Sequence, residues 1–110
     1  MLARKNRISK SEFPSSKTKG IRFLSSSFSG VVYPTLSGVK VAVVVSKKTT
    51  PKAVDRNLLK RRFYAAFEVY IKKLTKPTLI VVYPKKESIK VKQADIGSEL
   101  VESLKKTHIL

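Results

Sequence analysis

The sequence has no cysteine and no tryptophan, a single histidine, and only 7 acidic residues in 110. Each shortage closes a class of chemistry. Without cysteine there are no disulfides, no thiolate metal sites and no thiol nucleophile. The one histidine, His108, stands almost at the C-terminus, where it reads as a solvated tail residue. The carboxylates are scattered, with no pair spaced for acid–base work and no cluster able to cage a hard cation. No glycine-rich phosphate loop is present. No apolar run approaches the roughly 20 residues needed to span a bilayer. The opening Met1-Leu2-Ala3-Arg4-Lys5-Asn6-Arg7 carries charge without a following apolar signal core. The expectation is a cytoplasmic chain that contributes no catalytic residue and no metal site of its own.

What is present in excess is positive charge. Lys and Arg total 24, for a net charge of +17, and the sequence pI is about 10.4. A folded body with that charge repels itself, and folding alone gives no reason to carry it; a polyanionic partner does. Seven of the cations fall within residues 1–22, eight within 40–62 and seven within 72–92, so they belong to the body and not to one disordered arm. No basic helix with a broad Trp/Leu face points to a membrane surface, so nucleic acid is the expected partner. At 42% hydrophobic residues, the chain suits one globular domain over 1–110, with 1–10 as a basic N-terminal arm.

Along the chain, Ser11 can cap a short helix that carries Glu12 and Phe13 and ends near Gly20. Three strands follow: Ile21 to Leu24, Phe28 to Tyr33, and the β-branched run Val39 to Val45, whose near-continuous apolar character predicts an interior strand covered on both faces. Thr50 before Pro51 predicts an N-cap with proline at the first helical position. From there a helix reaches to about Leu74, stopped by Pro77. Leu59, Phe63, Ala66, Phe67, Tyr70 and Leu74 share a stripe about 100° wide, with Asn57, Arg61, Glu68 and Lys72 opposite. Tyr64 and Lys60 flank one side and Arg62 the other. Thr78 to Tyr83 predicts a buried strand, and Ile96, Leu100, Val101 and Leu104 a last helix, with Gly97 inside it. The order is α-β-β-β-α-β-α: an α+β sandwich of a four-stranded sheet and helices.

The binding signal is concentrated. Ser46-Lys47-Lys48 leaves a buried strand, and Arg56, Asn57, Lys60, Arg61 and Arg62 follow within seven residues of one helix. Guanidinium groups match phosphate oxygens in pairs, and Lys acts as a mobile point charge. Asn57 can donate to a phosphate or sugar and accept from a base or a 2′-hydroxyl. A solvated helix face would mix both signs, yet Asp55 and Glu68 are the only acids on this helix. Phe13, Phe28, Tyr33 and Tyr64 are the candidate stacking aromatics. Tyr64 leans toward the polar face, which predicts exposure. Phe28 and Tyr33 fall on opposite faces of their strand. A DNA-binding module lacks support, because neither a helix-turn-helix pair nor zinc-ligand spacing is present.

Ser46-Lys47-Lys48 followed by Ala53-Val54-Asp55-Arg56-Asn57-Leu58-Leu59-Lys60-Arg61 resembles the strand exit and Arg-Asn-Arg-x-Lys-Arg helix of the bacterial ribonuclease P protein family. Lys5-Asn6-Arg7-Ile8 and Ser11-Glu12-Phe13 extend the resemblance to the N-terminus. Three departures stand out: Leu58 replaces the second Arg of the motif, Tyr64 replaces a further Arg, and Phe13 is the one aromatic kept of two in the first helix. The resemblance implies a fold similar to the second domain of ribosomal small-subunit protein five, with a left-handed crossover. It also implies two partners, ribonuclease P RNA and precursor tRNA with its 5′ leader, and cleavage chemistry carried by the RNA with Mg2+. Implied RNA-docking residues are Lys5, Arg7, Lys47, Lys48, Arg56, Asn57, Lys60, Arg61 and Arg62. Phe13, Tyr33, Lys60 and Tyr64 are those implied for a leader cleft. A structural, ribosomal-type RNA-binding protein on the same scaffold is the alternative.

Overall fold

A computed structural model describes residues 8, 20–34, 38–74 and 78–107. The expected first helix, most of the basic arm, Lys5, Arg7, Phe13 and Pro77 lie outside the described residues. Within them the chain forms β1 (Ile21–Leu24), β2 (Phe28–Pro34), β3 (Val39–Val43), α1 (Ala53–Tyr70), β4 (Thr78–Pro84) and α2 (Gln93–Lys106). Two 3-10 turns, Ile71–Lys73 and Lys86–Lys90, precede β4 and α2 respectively. The strands make one four-stranded sheet in the order β1-β2-β4-β3. β1–β2 and β2–β4 pair antiparallel, while β3 and β4 run parallel. A parallel pair needs a long crossover, and α1 supplies it.

Register sorts the side chains. Phe23 pairs with Gly30, Gly30 with Val82, Val32 with Ile80, and Ile80 with Val41, so these positions share one face of the sheet. That face packs on Leu59, Phe63, Ala66 and Phe67 of α1 and on Ile96, Leu100 and Leu104 of α2. Phe28, fully buried, meets Phe23 and Phe63 edge to face, with centroids 6.1 and 5.5 Å away. It is therefore a core ring and no stacking platform. Gly30 makes room for Phe23: a Cβ there would lie 2.2 Å from Phe23 Cζ and 2.7 Å from the Val81 carbonyl oxygen. Gly97, inside α2, is different: a Cβ there would stand 3.4 Å from the Tyr70 ring of α1, an ordinary contact, so packing does not demand a glycine.

Several expectations change. Among the described residues β3 is an edge strand, not an interior one, and β2 and β4 are the inner strands. Val41, Ala42 and Val43 are nonetheless buried, because apolar sequence reports coverage of the faces and says nothing of hydrogen-bonded neighbours. On the far edge of β3 the Ile8 N–H donates to the Val41 carbonyl at 3.0 Å. Thr50 does not cap α1. The helix opens at Ala53 with Lys52 at the cap position and no side-chain cap, and the Thr50 hydroxyl is buried without a partner among the described residues. At its other end the α-helix stops at Tyr70, and a 3-10 turn carries the chain to Lys73.

Ser25, Ser26 and Ser27, between β1 and β2, converge on one carboxylate. Ser25 Oγ donates to Glu99 of α2, as do Ser26 Oγ at 2.8 Å, Ser27 Oγ at 2.7 Å and the Ser27 N–H at 3.2 Å. Burial pushes the Glu99 pKa up, but the hydrogen bonds from Ser25, Ser27 and Ser26 outweigh it and hold the carboxyl below its usual range. Lys85 joins the same corner, its Nζ donating to the Ser25 carbonyl at 2.9 Å.

Candidate nucleic-acid interface

The loop between β3 and α1 is a built structure. Thr49 N–H donates to Ser46 Oγ at 3.1 Å, the two hydroxyls are 2.9 Å apart, and Thr50 N–H donates to the Ser46 carbonyl at 3.0 Å. This closed turn leaves Lys47 and Lys48 exposed. Arg56 fastens the loop to the helix: its Nη1 donates to the Thr50 carbonyl at 3.0 Å and the Pro51 carbonyl at 2.6 Å. A guanidinium has further N–H donors, so Arg56 can hold the loop and still present charge beside Lys47 and Lys48.

Along α1 the five sequence-predicted polar residues separate. Asn57 and Arg61 are exposed, and Lys60 is half-buried. At 100° per residue all three lie on the flank of the helix that carries Tyr64. Tyr64 itself does not stand out in solvent. It is half-buried against the core, and its hydroxyl accepts the Val43 N–H at 3.2 Å. The helical wheel placed it near the polar arc, but a tyrosine is long enough to reach back to β3. Arg62 lies on the other flank, where its Nη1 donates to the Ile89 carbonyl at 2.6 Å and secures the second 3-10 turn.

The opposite face of the sheet carries a separate feature. Arg22, Leu24, Ser29, Val31, Tyr33 and Tyr83 line an open groove of about 430 Å³. Leu24 is 74% exposed and Tyr83 39%. Burial raises the Tyr83 pKa, the neighbouring Tyr33 adds to the rise, and Arg22 works against it, so the Tyr83 phenol is a neutral donor at physiological pH. The groove thus offers two rings, one guanidinium and an apolar floor, a set suited to an unpaired nucleotide strand. Of the four residues implied for a leader cleft, Tyr33 lines this groove, Lys60 and Tyr64 stand on α1, and Phe13 lies outside the described residues. Arg22 and Tyr83 escaped sequence reading, because only the β1–β2–β4 register brings them beside Tyr33.

Among the described residues no three His, Cys, Asp or Glu side chains converge on a metal-sized site, and no helix is long and apolar enough to cross a membrane.

Comparison with known proteins gives this arrangement a context. Residues 2–108 match the sequence model of the family described as Ribonuclease P. A search of curated proteins returned no match. Among solved structures, the RNase P protein from Staphylococcus aureus superposes with a TM-score of 0.71 at 25% identity, covering 100% of this chain and 96% of that one. The RNase P protein from Thermotoga maritima gives 0.70 at 25% identity, over 80% of this chain and 84% of that one. A family match running almost from end to end, on a scaffold shared with both structures, leads to one conclusion: this chain belongs to the ribonuclease P protein family.

Proposed function

We propose that the protein acts in tRNA 5′-end maturation as the non-catalytic subunit of ribonuclease P, docking on the catalytic RNA through the β3–α1 corner and holding the precursor's 5′ leader along the sheet. Membership in the family supports an RNA partner and a place in tRNA processing. The ribosomal-type alternative is not favoured. The observation that carries the docking assignment is the corner itself, where Lys47, Lys48, Asn57 and Arg61 are exposed around a loop that Arg56 holds closed.

The physical logic follows from charge. Two folded RNAs must approach, and their phosphates resist it; a body of net charge +17 offsets that repulsion and strengthens substrate binding. Lys47, Lys48, Lys60 and Arg61 contact phosphates, Asn57 reads sugar or base, and Arg56 positions the loop. Lys5 and Arg7 add charge from the N-terminal arm. Arg62, committed to Ile89, serves the fold first. In this reading Mg2+ belongs to the RNA, the leader meets Tyr33 with Phe13, and the complex works in the cytoplasm.

The test is reconstitution. Protein and a bacterial ribonuclease P RNA are mixed at low magnesium, and cleavage of a precursor tRNA is measured. Stimulation over RNA alone is expected. Binding without stimulation would return the protein to a structural role, and cleavage by protein stripped of nucleic acid would move the chemistry onto this chain.

A further inference from the structure

α1 carries a second apolar stripe. Val54, Leu58, Ala65 and Val69 recur at spacings of 4, 7 and 4 residues, which places them within about 60° of one another around the helix axis. They face away from Leu59, Phe63 and Phe67. Val54 is 77% exposed and Val69 63%, while Leu58 and Ala65 are half-buried. α1 therefore has apolar side chains on two nearly opposite sides, and packing on the sheet explains only one.

The stripe adjoins the cationic arc. Leu58 follows Asn57, and Arg61 lies about 60° from Leu58 and about 20° from Val54 in projection. On a helix about 10–12 Å across, 60° of arc is on the order of 6 Å. An RNA strand seated on Arg61 and Asn57 is wider than that and covers the stripe as well.

We propose that this stripe is the dry part of the RNA-docking face: Val54, Leu58 and Val69 pack against ribose and base edges of the partner RNA, while Asn57 and Arg61 hold its phosphates. The inference rests on the docking reading above. The occupant is RNA and not a second copy of the chain, because apposing two copies through this face would bring together two bodies of net charge +17. The wide, shallow minor groove of an A-form helix presents sugar C–H surfaces and base edges to such a stripe. Leu58 in place of a motif arginine then exchanges one screened phosphate contact for a contact that salt does not screen.

Salt dependence separates the two kinds of contact. Affinity for a bacterial ribonuclease P RNA is measured from low to high salt for the wild type, for Val54→Gln/Val69→Gln and for Arg61→Ala. Glutamine is a better helix former than valine and both sites are exposed, so thermal unfolding should match the wild type. The double variant should lose about tenfold in affinity at every salt concentration with an unchanged slope, the signature of lost apolar contact. Arg61→Ala should lower the slope by about one. If Arg61→Ala alters neither affinity nor slope, the docking reading itself is wrong. If Arg61→Ala behaves as expected but the double variant binds like the wild type, the stripe lies outside the RNA footprint and the inference falls. Sedimentation of the free wild-type protein as a dimer that the double variant abolishes, with RNA affinity intact, would assign the stripe to self-association instead.

Discussion

Arg56 and Arg62 spend guanidinium donors on backbone carbonyls, whereas Arg61, between them in sequence, is exposed. The contrast extends across the molecule. Glu99 and Lys85 are tied to the Ser25–Ser27 corner, while Lys47 and Lys48 project from a turn. Positive charge therefore has two uses here, and a count of cations on a helix does not separate them. Arg56, turned inward, closes the loop on which the outward Lys47 and Lys48 are mounted. Removing an inward charge should damage folding and then binding; removing an outward one should damage binding alone.

The contrast is sharpest at Arg56. Arg56→Ala should lower stability by about 2 kcal/mol, because two carbonyls lose a charged donor, and should weaken RNA binding through the loosened Lys47–Lys48 turn. Chemical denaturation and a salt-dependent binding series measure both; full stability with impaired binding would place Arg56 in the outward group. Arg62→Ala should cost about 1–2 kcal/mol through the Ile89 bond and leave the salt slope unaltered. A slope lowered by one would restore Arg62 to the RNA contacts.

Glu99→Gln tests the acid of the inward group, through pH. Its folded pKa is depressed, so its contribution is present at neutral pH, above the unfolded value, and is lost as pH falls through the folded one. The substitution should cost roughly 1 kcal/mol at pH 7, a figure reduced for partial solvent exposure. The difference from wild type should close as pH falls through the depressed folded value. A gap that does not vary with pH would mean that shape and not charge holds the corner. Smallest in stability is Arg61→Ala, which should stay within about 0.5 kcal/mol of wild type while binding falls. Leu58→Arg, which restores the motif residue, should hold or improve affinity at low salt and steepen the slope by about one.

The sequence was most readable where one local pattern decides the outcome. Leu59, Phe63, Ala66 and Phe67 are buried as their spacing requires, and the four strands begin at the residues where β-branched or aromatic runs begin. Lys47, Lys48, Asn57 and Arg61 likewise stand exposed on the loop and helix that their composition singled out. Pairing was not legible, because alternation records which faces are covered and not which strands are neighbours; hence β3 came out at an edge. Nor could local pattern reveal bonds between distant residues. Glu99 with Ser25–Ser27, Arg62 with Ile89 and Tyr64 with Val43 each join segments that only the folded chain brings together. Thr50-Pro51 is a fair start signal overridden by Arg56, whose bonds to the Thr50 and Pro51 carbonyls fit an extended entry to the helix.

The central place of β4 has a consequence for the order of assembly. β2 and β3 are consecutive in the chain yet do not pair with each other; both pair with β4, which is made last of the strands. A nascent chain emerging from the ribosome must therefore carry β2, β3 and the whole of α1 without the strand that joins them. Val39 meets Thr78 across 39 positions of chain, a non-local closure of the kind that slows folding. The cationic corner between β3 and α1 is thus mounted on a strand without its partner until translation has passed β4. The geometry of that corner is complete only once β4 has joined the sheet.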